Sequence, residues 1–372
     1  MKYCKNCILP ESRPNIVLDI NGVCNASTNK SKKLIDWKKR EKEFVKIVKK
    51  VKAKKETYDC VIPVSGGKDS TWQVIKALEY DLNPLCVTWK SPGRNTLGNK
   101  NLNNLIDLGT NHIDFSINPI FEKLFTLKAF KKFGNPLIPM HMALHAIPLQ
   151  IAINFKIPLI LWGENAAFEY GGDTTLMGYS LNQEWLREYG VTNGTSYKDW
   201  IDEDLSYEFL SAYRWPSSED QKKAGMKALF LGYFFYWDPK ITYKISKKHG
   251  FTSAKKPKTG FYNYADIDDS FLITVHHWMK WYKFGFTRLW DNLSIEIRNG
   301  RMTRSNAIEI IKGIGNENPE REIGLFCNYL NISKDEFFNI ASRFRNHNIW
   351  FKNSRGDWYI KDFLIDNWTW TN

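Results

Sequence analysis

The stretch YDCVIPVSGGKDSTWQVIKALEY, residues 58–80, constrains the fold more than any other part of the chain. An apolar run of strand length meets Ser65-Gly66-Gly67-Lys68-Asp69-Ser70, and helical periodicity follows at once. Two glycines permit positive φ or close backbone approach, and Asp69 and Ser70 are residue types that cap a helix start. A strand, turn and helix joined this way aim backbone N–H groups at an anion. The alternation continues through PLCVTW, NLNNLIDLG, HIDFSI and IPLILWGEN, which predicts an α/β fold with a parallel sheet and crossover helices. The spacing matches neither the G-x-x-x-x-G-K-[ST] nucleoside-triphosphate loop nor the dinucleotide G-x-G-x-x-G.

Four regions follow. Residues 1–30 hold three cysteines and have little capacity for a core of their own; residues 31–56 read as a basic connector helix. Residues 57–215 carry the sheet, and residues 216–372 turn helical and aromatic, as in ALFLGYFFYWD and DSFLITVHHWMKWYKFGF, suiting a region that meets substrate or partner. No run approaches the ~20 apolar residues of a membrane span. The start, MKYCKNCILPESRP, lacks a secretory layout, so a cytoplasmic protein with thiol or metal-bound cysteines is expected. The net charge of +13 is concentrated: between Lys30 and Lys55, thirteen Lys or Arg face Asp36, Glu41 and Glu43. Leu34, Ile35, Phe44, Ile47, Val48 and Val51 recur there at roughly helical spacing, so a solvated amphipathic connector is the expectation. A surface for nucleic acid or an acidic partner is the other reading.

Cys4-Lys5-Asn6-Cys7 and Cys24-Asn25-Ala26-Ser27 have the spacing of two zinc knuckles, with Ser27 at the last position. Three readings stay open: zinc on Cys4, Cys7 and Cys24 with a fourth ligand from elsewhere or water, a metal-free ribbon held by packing, or a redox-sensitive trio. Cys60, Cys86 and Cys327 lie in apolar surroundings and are expected as core thiols.

S-G-G-x-D-S after the first strand resembles the pyrophosphate loop of the ATP pyrophosphatases, the PP-loop or adenine nucleotide alpha hydrolase-like group. It includes asparagine synthetase, GMP synthetase and several tRNA-modifying enzymes. The resemblance implies that ATP is cut between its α and β phosphates and that AMP passes to a substrate oxygen. It implies that Ser65, Gly66, Gly67, Lys68, Asp69, Ser70, Thr88 and Gly163 hold the nucleotide, with Lys68 offsetting charge on pyrophosphate and Asp69 helping to hold Mg²⁺.

Along nearly its whole length the chain is also similar to the N-acetyl sugar amidotransferases of bacterial surface glycans, of lipopolysaccharide O-antigen or flagellin pseudaminic-acid type. The blocks that carry this are CKNCILPESRP with NGVCNAS, YDCVIPVSGGKDST, ILWGENAAFEYGG, FLGYFFYWD, YADIDDSF and KFGFTRLWDNLSIEIRNGRMTR. Where this chain has Ser27 the family pattern has cysteine. The resemblance implies conversion of an acetamido into an acetamidino group, with Asp69, Lys68 and Glu164 at the chemistry and Glu164 orienting ammonia or binding Mg²⁺. Asn165, Glu169, Tyr170, Asp268, Asp269, Arg288 and Arg298 would meet the sugar or nucleotide sugar. Ammonia would come from a separate glutaminase resembling that of histidine biosynthesis. The residues agree: a glutaminase with an N-terminal nucleophile needs Cys beside the initiator, and here the order is Met1-Lys2-Tyr3-Cys4. A PP-loop enzyme that thiolates or aminates a tRNA base is the alternative.

Overall fold

The computed structural model describes residues 1–28, 32, 34–54 and 57–370. At its centre five parallel strands lie in the order β3-β2-β1-β4-β5: β1 (Cys60–Pro63), β2 (Pro84–Trp89), β3 (Asn111–Phe115), β4 (Leu159–Trp162) and β5 (Lys227–Phe230). Val61 of β1 sits opposite Leu85 on one side and Ile160 on the other. All four residues of β4 are buried, which is why this strand reads as a continuous apolar run rather than an alternation.

Helices cover both faces. α1 (Trp37–Lys52), α2 (Lys68–Glu79) and α7 (Pro239–Lys248) lie on one side, where Phe44, Trp72 and Trp237 are buried. α4 (Pro119–Phe133) and α5 (Ile138–Asn154) lie on the other, with Phe125, Met142 and Ile147 inside. Between these come α3 (Thr96–Ile106), capped by Asn95 accepting from the Gly98 N–H at 2.8 Å, and the short α6 (Ala166–Tyr170). β1 is flanked by β2 and β4, so the winding direction reverses at β1. Its carboxyl end and that of β4 therefore open on the crevice where ligands of such sheets bind.

α1 is the amphipathic connector in the described part of the basic stretch: Asp36 caps it, Phe44, Val48 and Val51 are buried, and the lysines face outward. Leu34 precedes the helix and is exposed, so it does not join the apolar face. Residues 29–31, 33, 55 and 56, the remainder of that stretch, lie outside the described residues.

The boundary expected at residue 215/216 falls too early, because the fifth strand lies beyond it. Ala228, Leu229 and Phe230, expected in a helical region, pair with β4 instead. So short an apolar run is helix or strand depending on what it packs against, and here an open sheet edge decides.

The rest of the chain is helical: α8 (Leu272–Phe284), α9 (Arg288–Arg298), α10 (Arg304–Ile314), α11 (Glu320–Leu330) and α12 (Lys334–Ser342), then a hairpin of β6 (Trp350–Lys352) and β7 (Trp358–Ile360). Phe326 and Phe337 pack on Phe130 of α4, and the amino-terminal segment buries Cys4, Cys7 and Ile8 against Leu289, Trp290 and Leu293 of α9. The segment before α8 is docked on the sheet domain by Asn95 N–H to Asp268 O at 3.1 Å and Ser270 N–H to Gly93 O at 2.6 Å. That approach needs glycine: a Cβ on Gly98 would stand 2.7 Å from the Asp268 carbonyl, and one on Gly93 2.2 Å from Asp269 Oδ2. No helix among the described residues is long and apolar enough to cross a membrane.

Candidate active site

The turn from β1 into α2 is held by its own hydroxyls. Ser65 Oγ accepts from the Gly67 N–H at 3.2 Å, while Ser70 Oγ and Thr71 Oγ1 each donate to the Gly67 carbonyl at 3.0 Å. Gly66 takes φ +84°, and its backbone lies against Leu102 of α3. No side chain caps α2, and among the described residues no acceptor meets the N–H groups of Gly66, Lys68 or Asp69. A helix start left bare this way, with the positive end of the helix dipole behind it, is an anion seat.

Lys68 is buried and ion-paired with Asp69. Asp69 Oδ1 accepts from Trp237 Nε1 and from Thr242 Oγ1, both at 3.0 Å, so α7 and Trp237, two residues ahead of it, fix the carboxylate beside the seat. Ser246 Oγ, on the same helix, donates to the Lys68 carbonyl at 2.6 Å. From the end of β4, Glu164 enters the field of Asp69. Burial first and then the Asp69 charge push its carboxyl up to about 7. Two carboxylates that repel each other beside an anion seat are a donor set that fits Mg²⁺. Asp268 reaches the loop from the carboxyl-terminal region, where Ser65 faces its carboxyl. Burial, with Asp269 and Asp266 alongside, pushes it up to about 6.

Beyond Tyr170 lies a buried cluster of charge. Asp291 of α9 is 2% exposed; Arg13 Nε donates to it at 2.6 Å, with Lys280 Nζ at 3.7 Å and Arg288 Nη1 at 3.9 Å. Although burial opposes it, these cations hold Asp291 well below the usual carboxylate range. Arg288 also lies 3.6 Å from Asp266 and over the Tyr170 ring, and its Nε has no hydrogen-bond partner among the described residues. Burial lowers Lys280 to about 8 and keeps His276 and His277 neutral at pH 7. Three cations thus face two carboxylates, Asp291 and Asp266, leaving one positive charge in a site largely removed from water.

The structure therefore brings together Ser65 to Ser70, Glu164, Tyr170, Asp268 and Arg288. It uses several other expected residues for architecture. Asn165 is buried, caps α6 through the Ala167 N–H, and donates to the carbonyls of Leu176 and Gly178. Asp269 accepts from Ser91 Oγ and from the N–H groups of Phe271 and Ile273 at the start of α8. Arg298 donates to the backbone carbonyls of Ala26 and Glu169, and Glu169 pairs with Lys32. Thr88 shares a hydrogen bond with His112 at 2.8 Å, and the Gly163 carbonyl accepts from the Gly232 N–H at 2.9 Å. Each of these groups already has polar partners inside the protein, and Glu169 and Arg298 also line a cavity beside Lys32 and Trp237.

Arg13, Trp237, Asp266, Lys280 and Asp291 are the residues sequence reasoning missed. All but Lys280, which lies in the aromatic stretch DSFLITVHHWMKWYKFGF, fall inside the blocks that carry the resemblance, ESRP, FFYWD, YADIDD and LWDN; that was the available signal. Cys60 and Cys86 are fully buried in the strands. Cys4, Cys7 and Cys24 converge, their sulfurs within 4.8 Å of one another, as free buried thiols.

A family model described as the C-terminal domain of WbpG-like LPS biosynthesis proteins matches residues 258–364. No curated protein matches the chain. Among solved structures the chain is similar to NMN synthetase from Francisella tularensis, at 14% identity over 60% of this chain and 99% of that one, with a TM-score of 0.27, a loose superposition.

Proposed function

We propose that the protein is an ATP-dependent ligase of PP-loop type that activates the acetamido oxygen of an anionic N-acetylated sugar as its adenylate and replaces it with ammonia. The observation that carries this reading is the bare start of α2 with Asp69 and Glu164 beside it, at the carboxyl edge of a parallel sheet. The match of residues 258–364 to a lipopolysaccharide biosynthesis domain supports a sugar acceptor.

An amide oxygen is a poor leaving group. Transfer of AMP to it forms a C–O–P linkage and expels pyrophosphate; ammonia then adds to the same carbon, and AMP departs with the oxygen to leave an acetamidino group. The loop N–H groups and Lys68 hold pyrophosphate as its charge develops. Asp69 and Glu164 are the carboxylates that would hold Mg²⁺, which screens the phosphates when bound. A carboxyl held near neutrality, as Glu164 is, also suits taking the proton that ammonia loses on attack. The excess positive charge around Asp291 would take the carboxylate or phosphate of the sugar, since buried charge in excess of its carboxylates is costly until an anion arrives. Ammonia would be delivered by a glutaminase partner. Full burial of Cys60 and Cys86 leaves no accessible cysteine pair near the loop for base thiolation.

Incubation with ATP, Mg²⁺, ammonium and a panel of acidic acetamido sugars tests the reading. It should release AMP and pyrophosphate and give a product one mass unit lighter than the acceptor. Release of ADP, or a product of unchanged mass, overturns it.

A further inference from the structure

The geometry points to Ser27 as the fourth ligand of a metal site completed by Cys4, Cys7 and Cys24, a site that clamps α6 to the amino-terminal segment. Cys7 Sγ and Cys24 Sγ lie 3.6 Å apart. That is far beyond a disulfide bond of about 2.05 Å, but close to the ~3.8 Å edge of a tetrahedron with metal–sulfur bonds of about 2.3 Å. Ser27 Oγ stands 3.2 Å from Cys24 Sγ and 3.7 Å from Cys4 Sγ. An oxygen corner at about 2.0–2.2 Å from the same centre would have edges near 3.5 Å. Ser27 is buried with the three cysteines, which places a fourth donor beside the three sulfurs.

The backbone favours thiolate. The N–H groups of Cys7 and Cys24 both point at Cys4 Sγ, at 3.3 and 3.2 Å, and two donors on one sulfur suit a charged ligand better than a thiol. Three thiolates and a neutral hydroxyl around a divalent ion carry a net charge of −1, where four thiolates would carry −2. The exchange of cysteine for serine therefore eases burial of the site while giving up the tightest ligand for a soft-binding ion.

The clamp follows from what flanks Ser27. The Ala26 carbonyl accepts from Arg298 Nη1 at 3.1 Å, and the same nitrogen donates to the Glu169 carbonyl of α6 at 2.9 Å. Asn25 Nδ2 donates to the Gly172 carbonyl at 3.4 Å, and a Cβ on Gly171 would stand 2.8 Å from Ile16 Cδ1. The helix that carries Tyr170 thus rests on the helical turn Asn25–Thr28 and the Cys24 before it, which carry two of the four ligands, and this holds whatever reaction the enzyme performs.

The test titrates reduced, metal-free full-length protein with Co²⁺ and follows its absorption. One Co²⁺ per chain should bind with tetrahedral ligand-field bands and thiolate charge transfer. Ser27→Cys should raise the charge-transfer intensity by about a third, as three thiolates become four, and Ser27→Ala should weaken binding about tenfold or more. Metal should also slow amide hydrogen exchange in residues 166–172. An unchanged intensity in Ser27→Cys, or wild-type affinity in Ser27→Ala, removes Ser27 from the site. A Cys7–Cys24 disulfide in the native protein, or no Co²⁺ uptake by the reduced one, removes the metal. Hydrogen exchange indifferent to metal removes the clamp.

Discussion

Replacing Gly66 by alanine should damage both the fold and the anion seat, whereas the same change at Gly67 should leave the fold intact. Gly66 holds φ +84°, and an L-residue in the left-handed region costs about 1–2 kcal/mol. The new Cβ would also stand 2.7 Å from Leu102 N and 2.9 Å from Leu102 Cα. These are backbone atoms inside α3, which cannot turn aside. Relief requires the loop to lift by roughly 0.5–1 Å to reach an ordinary contact of about 3.5 Å. Gly67 has φ −69° and ψ 166°, open to any residue, and its Cβ would meet only Ser65 Oγ at 3.2 Å, which can rotate. Gly66→Ala should therefore lose at least about 2 kcal/mol, against less than about 1 for Gly67→Ala. Lifting the loop N–H groups by such a distance should lower ATP turnover by about a hundredfold. Urea denaturation of both variants and AMP release by Gly66→Ala give the two readings. Equal stability of the variants, or near wild-type turnover in Gly66→Ala, would refute the account of how the loop is held.

Glu164 binds a proton in the folded state between its ordinary value and about 7 that the unfolded chain has released, so on its account stability falls as pH rises through that window. Glu164→Gln should flatten this part of the stability-against-pH curve and abolish turnover; parallel curves for variant and parent would contradict the assignment. Asp291→Asn should cost about 3–5 kcal/mol in denaturant unfolding, because it strands Arg13, Lys280 and Arg288 without their shared carboxylate. A loss below about 1 kcal/mol would mean that water, and not Asp291, balances those charges.

β1, β2 and β4 were readable in advance because they are apolar runs between turn formers, and SGGKDS announced its own place at a strand end. Lys227 to Phe230 escaped because nothing in four residues distinguishes a strand from a buried helix until a partner edge is known. The site divides similarly. Loop residues are local in sequence, so their chemistry is visible together. Asp291, by contrast, is defined by Arg13, 278 residues away, and by Lys280 one helix earlier. Asn165 and Asp269 look like ligands in sequence, since the same side-chain oxygens that bind sugars also cap helices.

Gly93 and Gly98 leave two bare patches on the sheet domain into which the backbone at Asp268 and Asp269 is pressed. Two surfaces fitted at that spacing cannot be exchanged independently. A chimera that takes its sheet domain from one parent and its carboxyl-terminal region from another would need both glycines and the acidic pair from the same parent. Change in the carboxyl-terminal region should therefore be tolerated as substitution within it more readily than as its replacement whole at the junction.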